Sequence, residues 1–497
     1  FVVPRGVAAR LSVTGYTAVS TLGSNSAVFP AIWGRRIPLV YAEDPFGRLR
    51  GTVGAIIHNH GGPYAGSSWA VFGVDNVDLF SAADAPLHHS LPAIAEAITR
   101  PCYLRSLDAG SCYRADERPI IRGTIVSRRP AESSRLELHV EGLGSTVIRQ
   151  VLDDPQPEGT YAFQWEPPGG ELDRDFYTVR ADLYVDGEPV DTMRTAFVVW
   201  DPEVIAGGPK VGTDGPRLTV NGRPTVLSGT NQTGFMWFSE HEDPLVWDQD
   251  FRAMRDHGVN VLRILHFSPF SEGGYDGRPT NRVQGLARRP ERLCRQTDAI
   301  VQLAQKHGIV LFLSLHDWMD VGLSDEDYAA QRDWNRFWVE RYRDVPGITY
   351  DIQNEPSIGD PPDIPNLRRI YNRMLAERYR DEAGAKAAWG VDDLGGPWGD
   401  VPIRRPSDAW SDVAAHDYWR FKMDVYNAWT RENVAGVREG DADALVTVGN
   451  LNSNINADKQ IGSRHLDFTN THFYGSLEAF AQILKFLDRR WEGKPLS

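Results

Sequence analysis

Residues 348–357 read ITYDIQNEPS: an apolar run, then a carboxamide, a carboxylate and a proline. A continuous apolar strand is one covered on both faces, as in a parallel sheet between helices. Asn354 and Glu355 therefore stand where a buried strand stops. The segment before them, QRDWNRFWVERYRDVP, reads as a helix, and the same order recurs along the chain. VNVLRILHF follows PLVWDQDFRAMRDHG, GIVLFLSLHD follows RLCRQTDAIVQLAQKH, and ALVTVGNLNS follows a long helix around 414–438. LDFTNTHFYG comes next. Strands are expected at 225–229, 259–267, 309–316, 348–354, 444–449 and 466–472, with a seventh beginning at GKPLS.

Repeating βα units build either a (β/α)₈ barrel or a doubly wound sheet. The strand ends separate the two. Polar residues gather there: Asn231, Arg263 with His266, His316 with Asp317, Asn354 with Glu355, Asn450 with Asn452, and His472 with Tyr474. In a barrel all those ends meet on one rim, whereas in a doubly wound sheet only the switch point brings ends together. No G-x-G-x-x-G or P-loop follows any strand. The reading is an α/β chain with a (β/α)₈ TIM barrel at 214–497 that is truncated at its seventh strand.

Two regions precede it. Residues 1–102 alternate strand-like runs (53–57 and around 70–74) with glycine turns and a short helix in LPAIAEAITR, an α/β pattern. His58 and His60 flank Asn59 there without Cys or paired carboxylates at ligand spacing, so hydrogen-bonded loop histidines are expected rather than a metal site. Residues 103–203 carry short alternating stretches between Gly, Pro and Asp turns, the spacing of an Ig-like β-sandwich. WDPEVIAGGPKVGTDGP reads as a linker, and Asn221-Gly222 marks a hairpin.

YDIQNEP resembles the acid/base motif of clan A glycoside hydrolases, the retaining (β/α)₈ enzymes, with family 5 the nearest pattern. The likeness covers about 217–497. NVLRI places Arg263, LHDW places His316, and HFYG places His472 and Tyr474 at the strand ends where that family keeps such residues. LAERYRDEAGAKAAWGVDDLG also looks like the segment after the fourth strand in some exo-acting members, notably β-galactosidases. The resemblance implies cleavage of β-glycosidic bonds by two carboxyl groups about 5–5.5 Å apart, one shuttling a proton and one attacking the anomeric carbon. Glu355 takes the proton-shuttling part and Asn354 the sugar 2-hydroxyl. Arg263 and Tyr474 would hold the nucleophile, while His316 and His472 would line the sugar floor. Trp237, Trp318 or Trp334 would serve as a stacking platform, or as packing. Each residue also has a plain alternative. Arg263 suits a buried ion pair, His316 a satisfied core histidine, and Glu355 a helix-capping carboxylate.

The family carries its nucleophile as a Glu at the end of the seventh strand. Here RRWEGKPLS enters that strand and Ser497 is the last residue, so the nucleophile is expected just beyond Ser497 in a longer protein. Glu492 precedes the strand, and Glu240, Glu242 and Glu272 lie in loops without the family's context. The rival expectation is a carbohydrate-binding or scaffold protein whose barrel lacks the nucleophile.

Composition bounds the rest. A net charge of −14 argues against nucleic acid or an anionic membrane as partner, leaving a carbohydrate substrate and a homo-oligomer among the arrangements open. The proposed chemistry needs no metal or organic cofactor. Cys102 and Cys112 are near enough in sequence to bridge or to remain two thiols.

Overall fold

The computed structural model describes residues 34–43, 49–73, 88–99, 102–127, 133–142, 148–153, 160–165, 170–174, 176–232, 243–265, 282–287, 289, 291–316, 321–405, 411–451, 464–490 and 493–495. They fall into two compact units, Phe1–Asp201 with Trp237–Asp248 and Arg295–Ile300, and the remainder from Pro202 onward. Among the described residues no helix is long and apolar enough to cross a membrane.

The first unit begins with a sheet of β1 (Gly34–Glu43), β2 (Leu49–Asn59) and β3 (Ser68–Phe72), beside which the helix Leu91–Thr99 packs. Every pairing in it is antiparallel. This differs from the expected α/β pattern, because parallel neighbours need a long crossover and β2 and β3 are joined by a short turn. His58 lies in β2 rather than in a loop; its Nδ1 is 2.5 Å from Ser68 Oγ and its ring stacks on Tyr103 at 4.4 Å.

Eight strands follow: β4 (Cys102–Asp108), β5 (Ser111–Tyr113), β6 (Ile120–Ser127), β7 (Ser134–Glu141), β8 (Ile148–Asp153), β9 (Thr160–Gln164), β10 (Phe176–Val185) and β11 (Glu188–Val199). β4, β6 and β9 make one sheet, and β5-β11-β10-β7-β8 make the other. Along β10 burial alternates residue by residue, with Tyr177, Val179, Ala181, Leu183 and Val185 inside. That is the signature of a strand with one covered face. Leu104, Ile121 and Ile125 of the small sheet share a core with Leu138, Val179 and Phe197 of the large one, and Trp165 fills it. Cys102, Cys112 and Cys294 are buried free thiols, so Cys102 and Cys112 do not bridge.

The expected linker is folded. Pro202–Gly207 is a short helix, and Val211 donates its N–H to Pro346 O at 3.0 Å. Proline suits a first helical turn, which composition alone reads as a breaker. β12 (Val211–Asp214), β13 (Arg217–Val220) and β14 (Arg223–Pro224) then form a small antiparallel sheet. Asn221 (φ 52°) and Gly222 (φ 72°) make its tight turn, the positive φ pair a two-residue hairpin of the I′ type needs.

The second unit is centred on a six-stranded parallel sheet in chain order: β15 (Gly229–Gln232), β16 (Val261–Ile264), β17 (Val310–Ser314), β18 (Ile348–Asn354), β19 (Val446–Leu451) and β20 (Asn470–His472). The first strand starts later than expected because Arg223-Pro224 close the hairpin instead. Thr469 N–H donates to Pro495 O at 2.9 Å, so the segment expected to open a seventh strand lies against the run leading into β20. Phe312 on β17 and Phe468 beside β20 meet at 5.5 Å between ring centroids. In a flat sheet three strand spacings would hold them about 14 Å apart, so the sheet is curled. Leu218 of β13 joins Val310, Phe312 and Phe468 in one cluster, and the small antiparallel sheet thereby covers the apolar layer inside the curl.

Outside, the helices Asp325–Arg341 and Val413–Gly440 pack closely. Asn335 Nδ2 donates to Asn433 Oδ1 at 3.0 Å, and Gln331 Oε1 accepts from Trp429 Nε1 and Asn433 Nδ2, both at 2.9 Å. The contact depends on Gly436, where a Cβ would lie 2.5 Å from Arg332 O. Gly436→Ala is expected to destabilise the protein by about 1–3 kcal/mol, read as a lower urea midpoint at unchanged m-value.

Candidate active site

The inward face of the parallel sheet changes character along its strands. Val261, Val310 and Phe312 are apolar, and the next inward positions carry Arg263, Asp351, Gly449 and His472. Asp351, on β18, is fully buried. An ionised carboxylate there is tolerable only with charge and hydrogen bonds around it. Arg263 of β16 supplies both: its Nε donates to Asp351 Oδ2 at 2.9 Å and its Nη2 to the same oxygen. Gly449 N–H, on β19, donates to Asp351 Oδ1 at 2.8 Å.

Arg263 also reaches Asn354, donating from Nη1 to Oδ1 at 3.1 Å. Asp351 and Asn354 are three residues apart, and strict alternation would put them on opposite faces. A register shift removes the conflict. Asp351 pairs with Thr447 and Asn354 with Gly449, so three steps on β18 oppose two on β19. This extra residue is a β-bulge, the device that re-aims side chains beside functional sites.

Glu355 follows at φ +50°, a left-handed conformation rare for a side chain of its kind, and its N–H donates to Gly449 O at 2.6 Å. Glu355 Oε1 accepts from Tyr474 OH at 3.3 Å and lies 2.8 Å from His472 Nδ1. With the carboxylate ionised, His472 carries its proton on Nδ1. The Glu355 charge, more than burial, raises the Tyr474 hydroxyl above its usual range, so the phenol stays a donor. Strained backbone held by several hydrogen bonds is characteristic of working sites. Gly449 is the hub of the cluster. A Cβ there would sit 2.6 Å from Arg263 Nη2, 2.9 Å from His472 Nε2 and 3.1 Å from Asp351 Oδ2.

Of the residues singled out in the sequence, the structure thus gathers Arg263, Asn354, Glu355, His472 and Tyr474 into two touching groups. Arg263 is held by Asp351 and Asn354, the buried ion pair among its two readings, and Tyr474 meets Glu355. His316 is 2% exposed at the end of β17, with its N–H on Ile352 O at 3.0 Å. Trp334 is no platform: it is fully buried, its Nε1 donates to Leu315 O at 2.8 Å, and its ring abuts Trp338. Asn450 turns away from Gly449's face, and its Oδ1 accepts from Tyr426 OH at 2.5 Å. Trp237, Trp318, Glu240, Glu242, Glu272, Glu492, His266, Asp317 and Asn452 lie outside the described residues. Asp351 and Gly449 went unassigned in the sequence; an aspartate inside an apolar strand was the available signal.

Residues 218–485 match the family model Cellulase (glycosyl hydrolase family 5). Over 173 residues the chain is 25% identical to the probable mannan endo-1,4-beta-mannosidase A-1 of Aspergillus terreus, covering 30% of this chain and 44% of that protein. Two solved structures are similar at low overlap. One is a Bacteroides uniformis beta-glucuronidase (14% identity, 80% of this chain, 39% of that one, TM-score 0.35). The other is a beta-galactosidase of Halorubrum lacusprofundi (20% identity, 50% and 40%, TM-score 0.38). The chain spans less than half the length of the curated relative it matches.

Replacing Arg263 with Met leaves Asp351 buried without its cation. The expected loss is about 3–5 kcal/mol of stability. Denaturant unfolding of the purified variant measures it.

Proposed function

This chain belongs to glycosyl hydrolase family 5, and on that premise we propose that it hydrolyses β-glycosidic bonds of an oligo- or polysaccharide with retention, Glu355 acting as general acid and then base. The observation that carries the reading is Glu355 set beside Asn354 at the end of β18 and held through Oε1 by His472 and Tyr474. With Oε1 held, Oε2 is the oxygen turned to the substrate. A protonated Glu355 gives its proton to the leaving glycosidic oxygen while a second carboxylate attacks the anomeric carbon. Glu355 then takes a proton from water as that water releases the glycosyl group. In that role a carboxyl group has to keep its proton near neutral pH until the substrate arrives.

Asn354 contributes its carboxamide. Because Oδ1 takes Arg263, the NH₂ end is available to the sugar 2-hydroxyl, a contact that strengthens as positive charge develops on the ring. Arg263 acts through Asn354 and Asp351 as a positioning group. His316 and His472 line the sugar floor in this reading. The nucleophile is a Glu on the strand that Lys494 and Pro495 enter beside the run into β20, just beyond Ser497. That strand would be the seventh of a (β/α)₈ barrel of which 214–497 carries the part up to its start, preceded by a sandwich at 103–203 and an N-terminal region at 1–102. Backbones of β-1,4-linked glucan and mannan are the first substrates to offer, given the family and the mannosidase likeness.

Glu355→Gln is expected to lower hydrolysis of a β-1,4-glycan about 10²–10⁴-fold. On a dinitrophenyl glycoside, whose leaving group needs no proton, glycosyl transfer to the enzyme should fall far less. Values of kcat/KM on both substrates, which report glycosyl transfer to the enzyme, measure the pair with the protein from its source. Equal losses on both, or none on the glycan, would remove Glu355 from the acid role, and no hydrolysis of either substrate by the parent protein would leave a binding barrel.

A further inference from the structure

The two ring nitrogens of His472 stand in different company. Nδ1 lies 2.8 Å from Glu355 Oε1. Nε2 is buried and has no hydrogen-bond partner among the described residues. It belongs to the crowd around Gly449, where a Cβ would lie 2.9 Å from His472 Nε2 and 2.6 Å from Arg263 Nη2. Its neighbour is therefore a guanidinium, permanently charged and a donor only. Asp351 is the acceptor of that crowd, but its Oδ2 takes Arg263 and its Oδ1 takes Gly449 N–H, and Nε2 bonds to neither.

A neutral imidazole carries one ring proton, and the surroundings of the two nitrogens decide which of them holds it. On Nε2 that proton would be a buried donor without an acceptor, turned toward a cation, an arrangement native interiors avoid. A bare Nε2 is tolerated there, because its lone pair is attracted by the guanidinium. A second proton on the ring would meet the same cation. The ring proton therefore stays on Nδ1 whether Glu355 is ionised or protonated.

We propose that His472, locked as the Nδ1–H tautomer by the guanidinium beside Nε2, decides which oxygen of Glu355 carries the acid proton. This role rests on Glu355 being the acid. Oε1 receives two donors, His472 Nδ1–H and the Tyr474 hydroxyl at 3.3 Å, which makes it the poorer seat for a proton of its own. The proton of the acid form goes to Oε2, the oxygen turned to the substrate. The opposite tautomer would seat it on Oε1, between Glu355 and His472, out of reach of a leaving glycosidic oxygen. His472 acts through Glu355 as a positioning residue and exchanges no proton itself.

Nitrogen-15 spectra of the full protein, labelled in histidine, read the tautomer directly, the His472 signals being identified by their loss in His472→Asn. A protonated Nδ1 and a bare Nε2 are expected at neutral pH, and a proton on Nε2 overturns the proposal. In kcat/KM, His472→Ala should lose about ten-fold on a β-1,4-glycan and far less on a dinitrophenyl glycoside. His472→Asn, whose carboxamide offers an N–H near the place of Nδ1, should recover most of the glycan rate. A side chain that only shaped the sugar floor would lower both substrates alike, so equal losses overturn the proposal, as does a glycan rate unmoved in His472→Ala. The spectrum needs no turnover. A parent protein that hydrolyses neither substrate therefore fails the acid reading, while the tautomer stands or falls on the spectrum alone.

Discussion

The buried pair between Arg263 and Asp351 organises the inside of the parallel sheet. Two charges removed from water are worth little by themselves, since their desolvation offsets most of their attraction. Their value here is geometric. Asp351 engages β16 through the guanidinium and β19 through Gly449 N–H, so one carboxylate ties β18 to an adjacent strand and to one two places away. The guanidinium then orients Asn354. Gly449, fixed by Asp351 at its N–H, fixes Glu355 at its carbonyl. The acid candidate is thus positioned by backbone rather than by a flexible partner.

The same economy appears around Gly449. A strand interior gains nothing from a residue without a side chain. Here the missing Cβ is the space that Arg263, His472 and Asp351 occupy. Glycine's role is close approach of three side chains, and the strand conformation itself is ordinary.

Much of this was legible beforehand, for identifiable reasons. The strand 348–354 was read to the residue because it is a continuous apolar run ended by Asn-Glu-Pro, and Asn221-Gly222 was read because only a primed turn needs that pair. The rim residues Arg263, Asn354, Glu355, His472 and Tyr474 were legible as polar ends of apolar strands. Other features were not. β1, with Pro38 and paired arginines, lacks a strand-like pattern, and the antiparallel sense of its sheet is a property of connections rather than composition. Trp334 and Trp338 read alike as platform or core, and only tertiary packing separates the two. The ties of Arg263 to Asp351 and of Tyr474 to Glu355 were not legible, because pairing across a curl depends on register, and a bulge cannot be seen in a periodicity.

That bulge sets regularity of the sheet against use of the site. A ladder with β19 kept regular over the same residues, without the bulge, would turn the carboxamide toward the helices. Selection for thermal robustness alone would therefore erode the site, and the irregular strand is a place where sequence drift toward a better sheet is drift away from a working one.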